Sequence, residues 1–153
     1  MFTDQPIMQF REEFEFLSNF FPQPIVYAGR EWQTSEHAYQ AAKTLIAAEA
    51  EQIWAAPSPG KAKRLGRRKE DGGIITLRSD WKDIRVAVML RILETKFAIP
   101  ALEQMLLDTG ELKLVEGNIW NDTFWGVDIR TGEGQNRLGR LLMQIREDKL
   151  YFS

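Results

Sequence analysis

At 153 residues, 44% hydrophobic and 27% charged, the chain has the length and apolar content of one globular domain that can bury its own core. It has no cysteine and one histidine, which excludes disulfides, thiolate catalysis and cysteine-ligated metal, and argues against a histidine-rich metal centre. The net charge of −2 creates no field that draws nucleic acid nonspecifically, although a local basic patch could still do so.

The N-terminal MFTDQPIMQF lacks the basic-then-apolar layout of a signal peptide, and no apolar run approaches the ~20 residues needed to cross a bilayer. The expectation is a cytoplasmic protein with no membrane partner. Residues 7–33 read as short extended pieces interrupted by Pro22, Pro24 and Gly29, with Ile25, Val26 and Tyr27 as the best strand. Thr34 or Ser35 can cap an alanine-rich helix running to about Ala50, and a second short helix over 49–55 ends before Pro57. Ser58 and Pro59 start another helix, expected to reach Lys69. From Asp80 to Pro100, Ile84, Val86, Val88, Met89, Leu90, Leu93 and Phe97 recur at helical spacing and mark a central helix. A further helix over 100–109 stops at Gly110. ELKLVE alternates like an edge strand, and the stretch to Gly134 is loop with short extended pieces. Leu138, Leu141, Leu142 and Ile145 predict a terminal amphipathic helix. The sum is a mainly α fold, α+β with a few short strands, in one domain spanning residues 1–153, without repeat or linker.

Polar chemistry gathers around the predicted entrance of the first helix. Glu36, Gln40 and Lys43 lie four and three positions apart, so one helix face presents a carboxylate, an amide and an ammonium. Such a row is commonly a solvated face with a loose Glu–Lys pair. Against that stands the position of Glu36 in the first turn, where the helix N-terminus favours the ionised form. The only histidine, His37, reads as a buried hydrogen-bonding residue. Phe20, Trp32 and Tyr39 nearby suggest a pocket that stacks a planar ring.

Lys61, Lys63, Arg64, Arg67, Arg68 and Lys69 fall within nine residues, either as a solvated helix face or as a phosphate-docking site in which Gly66 lets the backbone approach. Trp81 opens the central helix, and Trp125 follows the loop acid Asp122, itself a candidate for a simple Asx turn. TGEGQNRLG precedes the last helix and could offer backbone N–H groups to an anion, although it lacks a nucleotide-binding glycine spacing.

Taken in order, FLSNFFP, WQTSEHAYQAAK, SPGKAKRLGR, the DW of SDWKDIR, LLDTGELKLVE, NDTFWGVD and GQNRLGRLLMQIR resemble the NADAR-domain family, YbiA-like group, over residues 16–146. The resemblance implies a mainly helical fold and cleavage of N-glycosidic bonds without metal or cofactor. The implied substrate is a phosphorylated ribosylamino-pyrimidine, an intermediate of riboflavin synthesis, or alternatively ADP-ribose on guanine in DNA or RNA. A non-catalytic module binding an ADP-ribose-like ligand is a third possibility. Motif positions make Glu36, Asp122 and Lys43 the catalytic candidates, as acid, base or nucleophile in an order left open. Asn19, Phe20, Trp32, Gln40, Trp81, Trp125 and Asn136 would line the pocket, with Arg64 or Arg67 on the phosphate.

Overall fold

The computed structural model describes residues 4–152. The chain groups into two compact units, one formed by Asn19–Lys96 and the other by the segments on either side. Among the described residues there are α-helices α1 (Ser35–Ala41), α2 (Ala47–Trp54), α3 (Pro59–Leu65), α4 (Trp81–Phe97), α5 (Pro100–Asp108) and α6 (Arg137–Phe152). The strands β1 (Ile25–Tyr27), β2 (Arg30–Trp32), β3 (Gly117–Asn118) and β4 (Val127–Asp128) are two or three residues long. The mainly helical expectation therefore holds.

In the Asn19–Lys96 unit, β1 and β2 form an antiparallel hairpin that pairs Tyr27 with Arg30. Its loop residues Ala28 and Gly29 both have positive φ, 53° and 77°, as the tightest hairpin turns require. Trp32 closes the hairpin by donating its indole N–H to the Tyr27 carbonyl at 3.0 Å. Trp54 of α2 donates to Glu31 O, and the Arg30 guanidinium lies 4.2 Å from the Trp54 ring. The helix α1 packs against both α2 and α3. Along α4 the fully buried stripe is Met89, Ile92, Leu93, Lys96 and Phe97, which follows the 3.6-residue period and places a lysine among apolar neighbours. Ile84, Val86, Val88 and Leu90, expected in the same core, are only half-buried.

Three expected elements are shorter or different. The first helix does not run to Ala50: it ends at Ala41, and α2 begins separately. The chain is diverted because the Lys43 carbonyl accepts from Arg78 N and the Thr44 hydroxyl from Ile46 N, instead of from helical amides. The helix started by Ser58, which accepts from Lys61 N, stops at Leu65 rather than Lys69. Beyond it, Leu65 O and Arg67 O take the amides of Ile74 and Ile75, and residues 69–71 form one 3-10 turn.

ELKLVE is not an edge strand; it makes only an isolated bridge between Leu114 and Ile7. Two of its backbone groups are claimed by one side chain. Asn136 accepts from Glu116 N at 3.0 Å and donates to Leu114 O at 2.9 Å. In this second unit α5 is followed by Gly110 at φ 61°, Phe16 meets Phe97 edge-on at 6.4 Å, and Arg146 of α6 donates to Thr109 Oγ1 and Leu112 O.

Glu49, at the start of α2, is a heavily bonded carboxylate of the Asn19–Lys96 unit. Its oxygens accept from Thr44 Oγ1, Thr76 N and Thr76 Oγ1 at 2.7–2.8 Å, and Lys69 Nζ lies 3.3 Å away. Burial pushes its pKa up, but the Thr76 amide, the two hydroxyls and the ammonium outweigh it and bring the group down to about 2. The folded pKa lies below the ordinary 4.5, so this stabilisation is complete above about 4.5 and is lost as the pH falls towards 2. Glu49→Gln is expected to lower the unfolding free energy by about 3 kcal/mol at neutral pH. In urea melts the gap between variant and wild type should close on acidification through that window.

Candidate functional site

All seven residues of α1, Ser35–Ala41, are buried, which overturns a solvated polar face. The helix starts where Thr34 Oγ1 accepts from His37 N, leaving the threonine hydroxyl to donate to His37 Nδ1 at 2.8 Å. His37 Nε2 then donates to the Ala56 carbonyl at 3.0 Å, which places a proton on Nε2. Burial lowers its pKa, against a smaller upward push from that carbonyl. His37 ties the helix entrance to the end of α2 and has no ring nitrogen left for substrate.

Glu36 is anchored through its backbone, whose N–H donates to Asn19 O at 3.1 Å. The residue is 7% exposed, and Gln40 Nε2 donates to its Oε1 at 3.0 Å. Lys43, just past the helix, donates to the Gly66 carbonyl at 3.3 Å and lies 5.6 Å from the Tyr39 ring. Its basicity is reduced chiefly by burial. The Glu36 carboxylate pushes it back up, while Lys63 and Arg85 push it further down. One carboxylate and one weakened ammonium thus share a largely desolvated place, surrounded by further cations.

Burial changes the roles expected of the aromatics. Trp32 is buried in the hairpin, and Trp81 is buried against Tyr39, with ring centroids 5.2 Å apart and planes at 56°. Phe20 is the exposed one of the three, at 41%, with Lys63 Nζ 5.9 Å from its ring. Arg64 and Arg67 are exposed on and just beyond α3.

Two residues were missed. Arg85 is half-buried four positions after Trp81, the spacing that puts both on one face of α4, so the period could have found it. Ser35 was considered only as a cap. Its hydroxyl is buried without a hydrogen-bond partner, as are Asn19 Oδ1 and Gln40 Oε1.

Asp122, Trp125 and Asn136 belong to the other unit. Asp122 Oδ1 accepts from Phe124 N and Trp125 N, at 3.2 and 2.9 Å, and its backbone is bracketed by the Asn118 amide. That is the Asx-turn arrangement. Asn136 has both ends of its amide on backbone, as described above. The amides of residues 135–138 donate to the carbonyls of Thr123, Gly126, Phe124 and Trp125. The anion cradle read from TGEGQNRLG is thereby corrected, since the loop 123–126 occupies it.

A model of the NADAR domain matches residues 4–149. N-glycosidase YbiA of Escherichia coli (strain K12) is 41% identical over 137 residues, which cover 89% of this chain and 82% of that protein. The riboflavin biosynthesis protein VVA0006 of Vibrio vulnificus is 40% identical over 148 residues, 95% of this chain but 39% of that longer protein. The NMR structure of E. coli YbiA superposes with a TM-score of 0.81 at 37% identity, covering 100% of this chain and 92% of that one. This chain belongs to the NADAR domain family.

The influence of Glu36 and of Arg85 on Lys43 can be tested separately. After reductive methylation with 13C-formaldehyde, Glu36→Gln should lower the Lys43 titration midpoint further, because a favourable negative charge is removed. Arg85→Met should raise it. A midpoint unmoved by both would show that neither group acts on the ammonium.

Proposed function

We propose that this chain is an N-glycosidase that hydrolyses the ribosyl C–N bond of a phosphorylated ribosylamino-pyrimidine, and that the whole chain acts as one NADAR domain. The observation that carries the reading is the buried Glu36 carboxylate, held by Gln40 in the same short helix region as a Lys43 of reduced basicity. The names of the relatives, an N-glycosidase and a riboflavin biosynthesis protein, support the bond type and the pathway.

Breaking this bond develops positive charge on the sugar and negative charge on the departing nitrogen. Glu36 stabilises the cationic sugar and takes a proton from the attacking water. The C–N electron pair leaves with the nitrogen, which receives a proton from the Lys43 ammonium. Reduced basicity makes that ammonium a better donor near neutral pH. Return of the proton from Glu36 to Lys43 resets the site, and the products are the free sugar phosphate and the amino-pyrimidine. Asp122 is assigned to holding its loop, in keeping with the two amides on its Oδ1. Asn19 and Ser35 offer buried unpaired oxygens to sugar hydroxyls, Gln40 orients Glu36, and Phe20 stacks the base.

Release of ribose 5-phosphate from the ribosylamino-pyrimidine phosphate by the purified protein tests the reading directly. Glu36→Gln should reduce kcat at least about a hundredfold. Faster turnover of ADP-ribosylated guanine in DNA or RNA would transfer the same chemistry to the other substrate. Binding without turnover of either would make the chain a recognition module.

Arg64 or Arg67 receives the phosphate in this reading. Replacing the contacting arginine by Ala removes a charge-assisted pair worth about 1.5–3 kcal/mol, so KM for the phosphorylated substrate should rise roughly ten- to hundredfold. Turnover of the dephosphorylated substrate should not change. An equal response of both substrates, or none, would exclude these two residues as the phosphate site.

A further inference from the structure

Gly66 follows the last residue of α3 with φ −72° and ψ 1°, a conformation open to every L-residue. It is not the left-handed stop that ordinarily calls for glycine at a helix end. What the position cannot take is a side chain. A Cβ there would lie 2.0 Å from Gln40 Oε1 and 2.7 Å from its Cδ. Gln40 Oε1 is buried with no hydrogen-bond partner, which fits an oxygen packed against a glycine Cα–H. With its oxygen seated there, the other end of the amide is directed to Glu36 Oε1, 3.0 Å away. The Gly66 carbonyl meanwhile receives the Lys43 ammonium at 3.3 Å.

We propose that Gly66 is a positioning residue: its missing side chain seats the Gln40 amide that orients Glu36, and its carbonyl holds Lys43. The inference rests on the reading above, in which Glu36 and Lys43 perform the hydrolysis. Gly66 touches no substrate and acts through both of these groups at once. Its glycine identity reflects close approach within the site rather than access of backbone to a phosphate.

The test compares wild type, Gly66→Ala, Gln40→Ala and the double variant in steady-state hydrolysis of the ribosylamino-pyrimidine phosphate, with circular dichroism to establish folding. Gly66→Ala should lower kcat about ten- to hundredfold while KM changes less than about threefold, the mark of lost alignment. In the Gln40→Ala background, where the nearest remaining atom is Cβ at 3.0 Å, the same substitution should cost less than about threefold. The Lys43 titration midpoint, followed by NMR of the methylated amine, should also move in Gly66→Ala.

A folded Gly66→Ala protein with wild-type kcat would overturn the proposal, as would an equal loss in both backgrounds. If Gly66→Ala alone does not fold, the double variant should fold and match Gln40→Ala. Failure of the double variant to fold, or a kcat far below that of Gln40→Ala, would show that Gly66 acts otherwise. Should the wild type release no sugar phosphate, the functional reading falls. The Lys43 titration then still decides the placement: a shift in Gly66→Ala supports it and an unchanged midpoint overturns it.

Discussion

The Asn19–Lys96 unit depends on burying a helix that is polar along much of its length. Ser35, Glu36, His37 and Gln40 are all inside, and a buried polar group left unbonded costs roughly 1–3 kcal/mol. Gln40 bonds Glu36 within the helix, and the other partners come from outside it: Thr34 and Ala56 for His37, Asn19 for the Glu36 amide, and Gly66 for the carboxamide of Gln40 by contact. Each partner sits on a different segment. The bonds of His37 and Glu36 and the contact of Gln40 with Gly66 thus tie the end of α2, the Asn19 segment and the end of α3 to one short helix.

Side chains do elsewhere the work that sheets do in other folds. Glu49 gathers an amide and two hydroxyls at the start of α2, and Asn136 pairs with the backbone of residues 114 and 116 where a ladder was expected. Asp122 does the same for its own loop. A chain with strands of only two or three residues must satisfy much of its backbone in this way. Polar residues in its motifs thus divide between architecture and chemistry, and their spacing alone does not separate the two.

Sequence reading succeeded where local chemistry decides the outcome. The caps Thr34 and Ser58, the strand at 25–27, the stop at Gly110 and the periodic α4 and α6 were legible because each depends on neighbours within a turn or two. It failed where a distant partner intervenes. The break after Ala41 depends on Arg78, and the fate of ELKLVE depends on Asn136. At the site, the grouping of Glu36, Gln40 and Lys43 was visible from their spacing. That Trp32 and Trp81 would be buried, that Arg85 would join the cations, and that Gly66 would lie under Gln40 were tertiary facts with no local signal beyond a helical period.

The brevity of α1 makes it dependent on its surroundings. A helix of seven residues is far below the length at which helices persist alone in water, because nucleation is costly and too few bonds follow to offset it. It can form only as the surrounding segments close around it. The acid, the amide and the ammonium are therefore held in register by the packing of the whole unit and not by the helix alone.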